Sequence, residues 1–355
     1  MEYTYTSTFP FMEIWFSAYT DDKLEYFEIR TCDTSGKRSF KPLWHKSFPL
    51  GMSVADFLYE DDNLEYLETE LQILESRISA LNSGEKAEKI FPDLFARAKR
   101  WADTNPLYLP LAIAIEQLKI EYEQKRQVSI DNIRTNIVEL IEWKHTLSDI
   151  IHNVFETDKN GDPQENFIHM AGGKQWLPQF PQYGMMRTES VVFDGHIPYP
   201  YDYSELMDFG DLVLPKSGVA TVLNATSLSD LVGFLIAQYL CSNLRFRTCK
   251  CCGKLFGITT DYRLEYCSRE IDGLGKTCRE MGATRVYGKK VAEEPAIKEY
   301  TRSYKAHNAR IRYGIMTRDE FNIWAAEARE KRDACVAGKL SFEEFVAWLD
   351  SDKHR

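Results

Sequence analysis

The chain has 355 residues, 44% of them hydrophobic, with 44 basic and 54 acidic side chains and a formal net charge of −10. Such a chain can bury one large or two modest cores, which excludes a disordered or fibrous protein. No apolar run approaches the ~18 residues of a membrane span, and the opening MEYTYTSTFPFMEIWF has no basic leader, so neither a membrane anchor nor a secretory signal is expected.

Residues 11–48 alternate as strands do. FMEIWFSAY, KLEYFEIRTC and FKPLWHKSF are aromatic-rich runs parted by turn-forming polar stretches. From residue 63 the period lengthens. Leu64, Leu67, Leu71, Leu74, Ile78 and Leu81 step by three and four, and Gly84 follows where a helix would stop. This stripe predicts a core-facing helix, with self-association or a protein partner through 64–81 as the other reading. Helices are also predicted over 87–101, 109–126 and 130–155.

Residues 156–226 gather six of the thirteen prolines, so loops and short strands are expected, with VVFDGHIPY and DLVLPKSG the best strand candidates. Glu156, Asp158, Asn160, Gly161 and Asp162 imitate a calcium loop, but Pro163 falls at its eighth position and Phe167 stands where the closing glutamate belongs. SLSDLVGFLIAQYLCSNL then predicts an apolar helix opened by Ser227. Three further helices are predicted near 281–313, 317–337 and 341–351. The last two begin with Thr317-x-x-Glu320 and Ser341-x-x-Glu344, both capping boxes. The expected class is α+β and mostly helical. Its parts are a strand-rich stretch (1–60), a helical region (61–155), a loop-rich region (156–226), an apolar helix with a cysteine module and basic helix (227–318), and a helical hairpin (319–355).

Charge is unevenly divided. Residues 245–318 hold 17 lysines and arginines against 8 acidic residues, a net of +9, while residues 1–244 stand at −16 and 319–355 at −3. A basic segment on an acidic body implies an anionic partner, or packing against the chain's own acidic part.

Five of the eight cysteines fall between 249 and 278, inside that basic segment. Cys249, Cys252, Cys267 and Cys278 form C-x2-C-x14-C-x10-C. Four thiolates in two pairs are a tetrahedral zinc set, and Gly253 lets the chain reverse after the first pair. The expectation is a closed, structural Zn2+ site, since four sulfurs leave no position for a reacting water. The alternative is a group of buried reduced thiols. Cys251 is read as a non-ligand, because C-x-C spacing fits a knuckle poorly. The scattered Cys32, Cys241 and Cys335 make no disulfide framework, which points to a cytoplasmic location.

The stretches CxxCGKLF, YCS and GKTCRE resemble an uncharacterised bacterial family with a C-terminal zinc-ribbon-like region, over about residues 228–350. More distantly they are similar to CGNR-type zinc fingers. That resemblance implies a zinc-binding, DNA-binding C-terminal region. The CGNR tetrad itself is CREM here, and the gap before the last cysteine is longer.

Cations flank both halves of the cluster: Arg245, Arg247, Lys250 and Lys254 the first, Arg263, Arg269, Lys276 and Arg279 the second. Arg285, Lys289 and Lys290 follow on the next helix. Lysine and arginine neutralise phosphate, so residues 245–318 are the expected contact with DNA or RNA. Tyr300, Tyr304 and Tyr313 are expected to pack against the helix at 228–240. His307-x-x-Arg310 with Tyr313 is too tightly spaced for a recombinase set. No phosphate loop, nucleophile elbow or dinucleotide fingerprint occurs. The leading function is therefore a zinc-binding, nucleic-acid-associated accessory or regulatory protein. A protein-interaction module with purely structural zinc is second, and an enzyme with a site in residues 1–226 is third.

Overall fold

A computed structural model describes residues 11–21, 23–33, 43–59, 63–156, 161–174, 186–192 and 217–351. It is α+β and mostly helical, with an N-terminal antiparallel sheet followed by helices. The chain divides into two compact units. The first is Met1–Thr248 with Lys254–Leu264, and the second is Cys249–Gly253 with Glu265–Arg355.

In the first unit, strands β1 (Phe11–Thr20), β2 (Leu24–Asp33), β3 (Trp44–Pro49), β4 (Met186–Val192) and β5 (Ser217–Ala225) form one sheet in the order β3-β2-β1-β5-β4. Every pairing is antiparallel. Period-two alternation sets the faces. Ile14, Phe16 and Ala18 of β1 and Phe27 and Ile29 of β2 enter the core, and Phe16 stands opposite Ile29 in register. On the other face Tyr19 stacks on its partner Tyr26, ring centroids 4.9 Å apart, over the buried Val222.

Helices α1 (Met52–Tyr59), α2 (Asn63–Asn82), α3 (Ala87–Thr104), α4 (Leu109–Lys125), α5 (Asp131–Ile150), α6 (Pro163–Lys174) and α7 (Leu228–Cys241) belong to the same unit. The stripe of α2 faces the core: Leu67, Leu74, Ile78 and Leu81 are buried. Nine of the first ten residues of α4 are buried, as befits a helix apolar on every side. Serine 227 caps α7 by accepting the Asp230 N–H, and the helix then buries Leu228, Leu231, Phe234, Leu235 and Tyr239. Each fully buried side chain of this size contributes about 2 kcal/mol.

Among the described residues of this unit the carboxylates of Glu25, Glu70 and Glu116 are buried. Glu25 shares the inward face of β2 with Phe27 and Ile29 and is fully buried. Its oxygens accept from the Gly51 N–H, the Ser53 hydroxyl and the Tyr239 hydroxyl, the last at 2.8 Å.

The second unit ends in three packed helices, α9 (Pro295–Arg312), α10 (Arg318–Val336) and α11 (Phe342–Ser351), preceded by α8 (Cys278–Glu293). The single helix predicted over 281–313 is thus two. Pro295, which lacks an N–H, starts the second, and α8 stops at Glu293. Tyr300 is buried and Tyr304 half-buried, with Phe321, Trp324, Phe345 and Leu349 of the tail in their cluster, whereas Tyr313 is 79% exposed. His307 stacks on Trp324 at 3.7 Å. Both predicted capping boxes close, with Glu320 reaching Thr317 and Glu344 reaching Ser341.

Some elements differ from expectation. Helix α1 falls within the stretch 1–60 expected to be strand-rich, and helix α6 within the loop-rich region 156–226. Strand β5 runs through ATVLNA, beyond DLVLPKSG, most of which lies outside the described residues. The run VVFDGHIPY is strand only through Val192, its remainder lying outside them too. Among the described residues no helix is long and apolar enough to cross a membrane.

Candidate metal centre

The centre is built by two hairpins and a helix start. Strands β6 (Arg245–Thr248) and β7 (Leu255–Ile258) pair antiparallel, and residues 249–253 turn between them. That turn is a knuckle. The Gly253 N–H donates to the Cys249 carbonyl at 2.9 Å, and Gly253 has φ +75°, a conformation that costs glycine nothing. The Lys250 N–H donates to the Glu265 carbonyl at 3.0 Å, which ties the knuckle to the chain before Cys267.

The second pair comes from around a small hairpin, β8 (Glu270–Ile271) with β9 (Lys276–Thr277). Cys267 precedes it. Cys278 follows it and is the first residue of α8. Thr277 and Glu280 form a capping box that fixes that helix start, and the Cys278 N–H donates to the Arg269 carbonyl at 2.9 Å. The helix thus starts at Cys278, three residues before the predicted 281, at the T-x-x-E signature of Thr277 and Glu280. The Tyr266 ring lies against α8 at Gly282, where any Cβ would come within 2.3 Å of it. This contact was not read from the sequence; the signal for it is a glycine inside a helical stretch.

The result is a compact sulfur cluster. Ligand atoms of Cys249, Cys252, Cys267 and Cys278 all lie within 4.8 Å of one another. The Cys252 and Cys267 sulfurs are 3.6 Å apart, and the Cys267 N–H donates to the Cys249 sulfur at 3.4 Å. A tetrahedral site with metal–sulfur bonds of about 2.3 Å sets its sulfurs about 3.8 Å apart, so the four fit a metal ion. Cysteines 249, 267 and 278 are buried and Cys252 is exposed, which puts one edge of the cluster at the surface.

The electrostatics agree. Burial raises the Cys249 thiol, but backbone N–H groups of Cys252, Cys267 and Cys251 outweigh it and hold the group at about 7. Cys267 is pushed up to about 11, by burial first and then by the charges of Cys249 and Cys252. Cys278 moves higher still, again by burial first, then through the Cys251 side chain and the charge of Cys267. Sulfurs packed this closely cannot all ionise alone; a bound cation lets them do so and releases their protons. Cys251 is half-buried beside Cys278 and stands outside the four-sulfur group.

The predicted basic residues occupy varied settings. The guanidinium of Arg245 donates to the Gly161 carbonyl, and that of Arg247 to the Leu264 carbonyl at 3.0 Å. Lys250 pairs with Glu265, and Arg263 with Asp261 at 3.3 Å. Arg269 is half-buried, its terminal nitrogens out of solvent. Lys254, Lys276, Arg279, Arg285, Lys289 and Lys290 are exposed, Lys289 with Glu293 at 3.8 Å.

The model of a family of unknown function (DUF6076) matches residues 215–350, a stretch that holds β5, α7, the sulfur cluster and the three-helix tail. This agrees with the expected uncharacterised family and lends no support to the CGNR likeness. No curated protein and no solved structure matches the chain.

Proposed function

We propose that the four cysteines hold one structural Zn2+ and that the module so closed presents helix α8 to nucleic-acid phosphate. The donor set is four soft sulfurs within 4.8 Å of one another, without imidazole or carboxylate, as zinc in a closed site prefers. With four sulfurs bound the ion activates no water. Its contribution is to folding, since the β8–β9 hairpin buries only Ile271 of its own.

One observation carries the nucleic-acid reading. Helix α8 starts at a ligand, runs 16 residues and buries only Cys278 and Gly282. Its exposed positions include Arg279, Arg285, Lys289 and Lys290. A cationic helix clamped at its N-terminus by a metal is a rigid phosphate-binding element. Fluorescence anisotropy with labelled single- and double-stranded oligonucleotides tests it. Four phosphate contacts predict a loss of affinity of about 100-fold between about 50 mM and 200 mM salt. Absence of binding at the lower salt, with zinc present, overturns this reading.

The protein-interaction reading has an observation of its own, a cavity in the helical tail.

A further inference from the structure

Helices α9, α10 and α11 border an open cleft of about 610 Å³, within the range that binds ligands or an anchoring side chain. Its lining mixes charged and apolar side chains. Ile315 and Ile323 both line it and are 70% and 72% exposed, beside Met316 and the half-buried Trp348. Single exposed isoleucines are ordinary; two of them facing a common concavity mark a contact surface.

Charge says what fits. The lining holds two carboxylates, Glu320 and Glu327, against one guanidinium, Arg310. Glu320, Ile323 and Glu327 follow one another on one face of α10 at helical spacing, an acid–apolar–acid row. Glu320 is firmly ionised, since the backbone and hydroxyl of Thr317 hold its carboxyl below the ordinary value.

The complementary row occurs in this same chain. On α8, Arg279, Ala283, Val286 and Lys290 share one face, a cation–apolar–cation row, with Tyr287 alongside and 47% exposed. No residue of α8 lines the cavity of its own chain.

We infer that the tail cavity of one copy receives helix α8 of a second copy. If each copy gives its helix and takes the other's, the pair closes with two-fold symmetry. This inference stands apart from the nucleic-acid reading. Where both hold, association and phosphate binding compete for the same cations.

Sedimentation velocity on the full-length, zinc-loaded chain tests it, from about 1 µM to about 100 µM, where an interface of modest size shows itself. Concentration-dependent dimerisation is expected. Ile323→Asp, Glu327→Lys and Lys290→Glu should each weaken it at least about tenfold. These positions are exposed, and circular dichroism checks that each variant keeps its helices. The double variant Glu327→Lys with Lys290→Glu should recover association, because each copy again offers opposite charges. A wild type that stays monomeric overturns the inference, even if a synthetic basic peptide enters the cavity. So does a dimer that Ile323→Asp leaves intact, or a double variant no better than the single ones.

Discussion

The sulfurs of Cys252 and Cys267 lie 3.6 Å apart across a sequence separation of 15. That spacing fits two ligands of one ion. Between them the chain forms β7 and returns, and a shared cation would account for the convergence of two such separated thiols.

The ligand set makes the first prediction. Cys267→Ser and Cys278→Ser should each lose the metal and unfold the module, because such sites contribute on the order of 10 kcal/mol to folding. Cys251→Ser should keep its metal. Metal content by mass spectrometry and thermal melts check this, and equal loss from Cys251→Ser would move the ligand assignment.

Gly282 makes the second. Tyr266 fills the space its Cβ would need, 2.3 Å away, so Gly282→Ala must push the ring or the helix aside. Overpacking of this kind costs about 1–3 kcal/mol. A lowered melting temperature is expected, with metal held more weakly since Tyr266 neighbours Cys267. An unchanged melt and unchanged metal affinity would contradict the packing.

Glu25 makes the third, in the other unit. Burial pushes its carboxyl up to about 7 from 4.5, opposed by the donors Ser53, Tyr239 and Gly51. Between those values the folded chain keeps a proton that the unfolded chain has lost. The group's stabilising contribution is therefore full below pH 4.5, falls as pH rises through the window, and levels off above about 7. Urea melts of wild type and Glu25→Gln should show the wild-type advantage falling by about 3 kcal/mol from pH 4.5 to above 7. A pH-independent difference would show that Glu25 is ionised throughout.

Tyr239 gives the matching fourth prediction. Its hydroxyl donates to Glu25 across 214 positions, and removal by Tyr239→Phe leaves a buried acceptor short of a donor. The cost should be about 1–3 kcal/mol. It should be larger at pH 8 than at pH 5, because the donor favours the ionised form.

Sequence and structure agree where the signal is local. The leucines of α2, the C-x2-C knuckle with its glycine, and the boxes at Thr317 and Ser341 need only near neighbours, and all are legible. Local reading failed where distance decides. Strand β5 lies in a proline-rich stretch where loops and short strands are expected, but it runs past the candidate DLVLPKSG because its partner is distant: Ala225 pairs with Phe16, near the start of the chain. Glu25 looked like one more polar position in an alternating strand. Its place on the face of Phe27 and Ile29 was the available sign that it is buried. The break at Pro295 is hidden by flanking residues that are good helix formers. The cations of the module were readable as a group; which of them fold back onto carbonyls and carboxylates, as Arg247 and Lys250 do, depends on tertiary contacts.

The central claim is that four thiolates of one chain hold one zinc ion. X-ray absorption at the zinc edge, on full-length protein purified without added metal and paired with metal content, addresses it most directly. The account predicts one zinc per chain with four sulfur neighbours at about 2.3 Å and no nitrogen or oxygen. A chain without metal, or a zinc with nitrogen or oxygen in its shell, would contradict it.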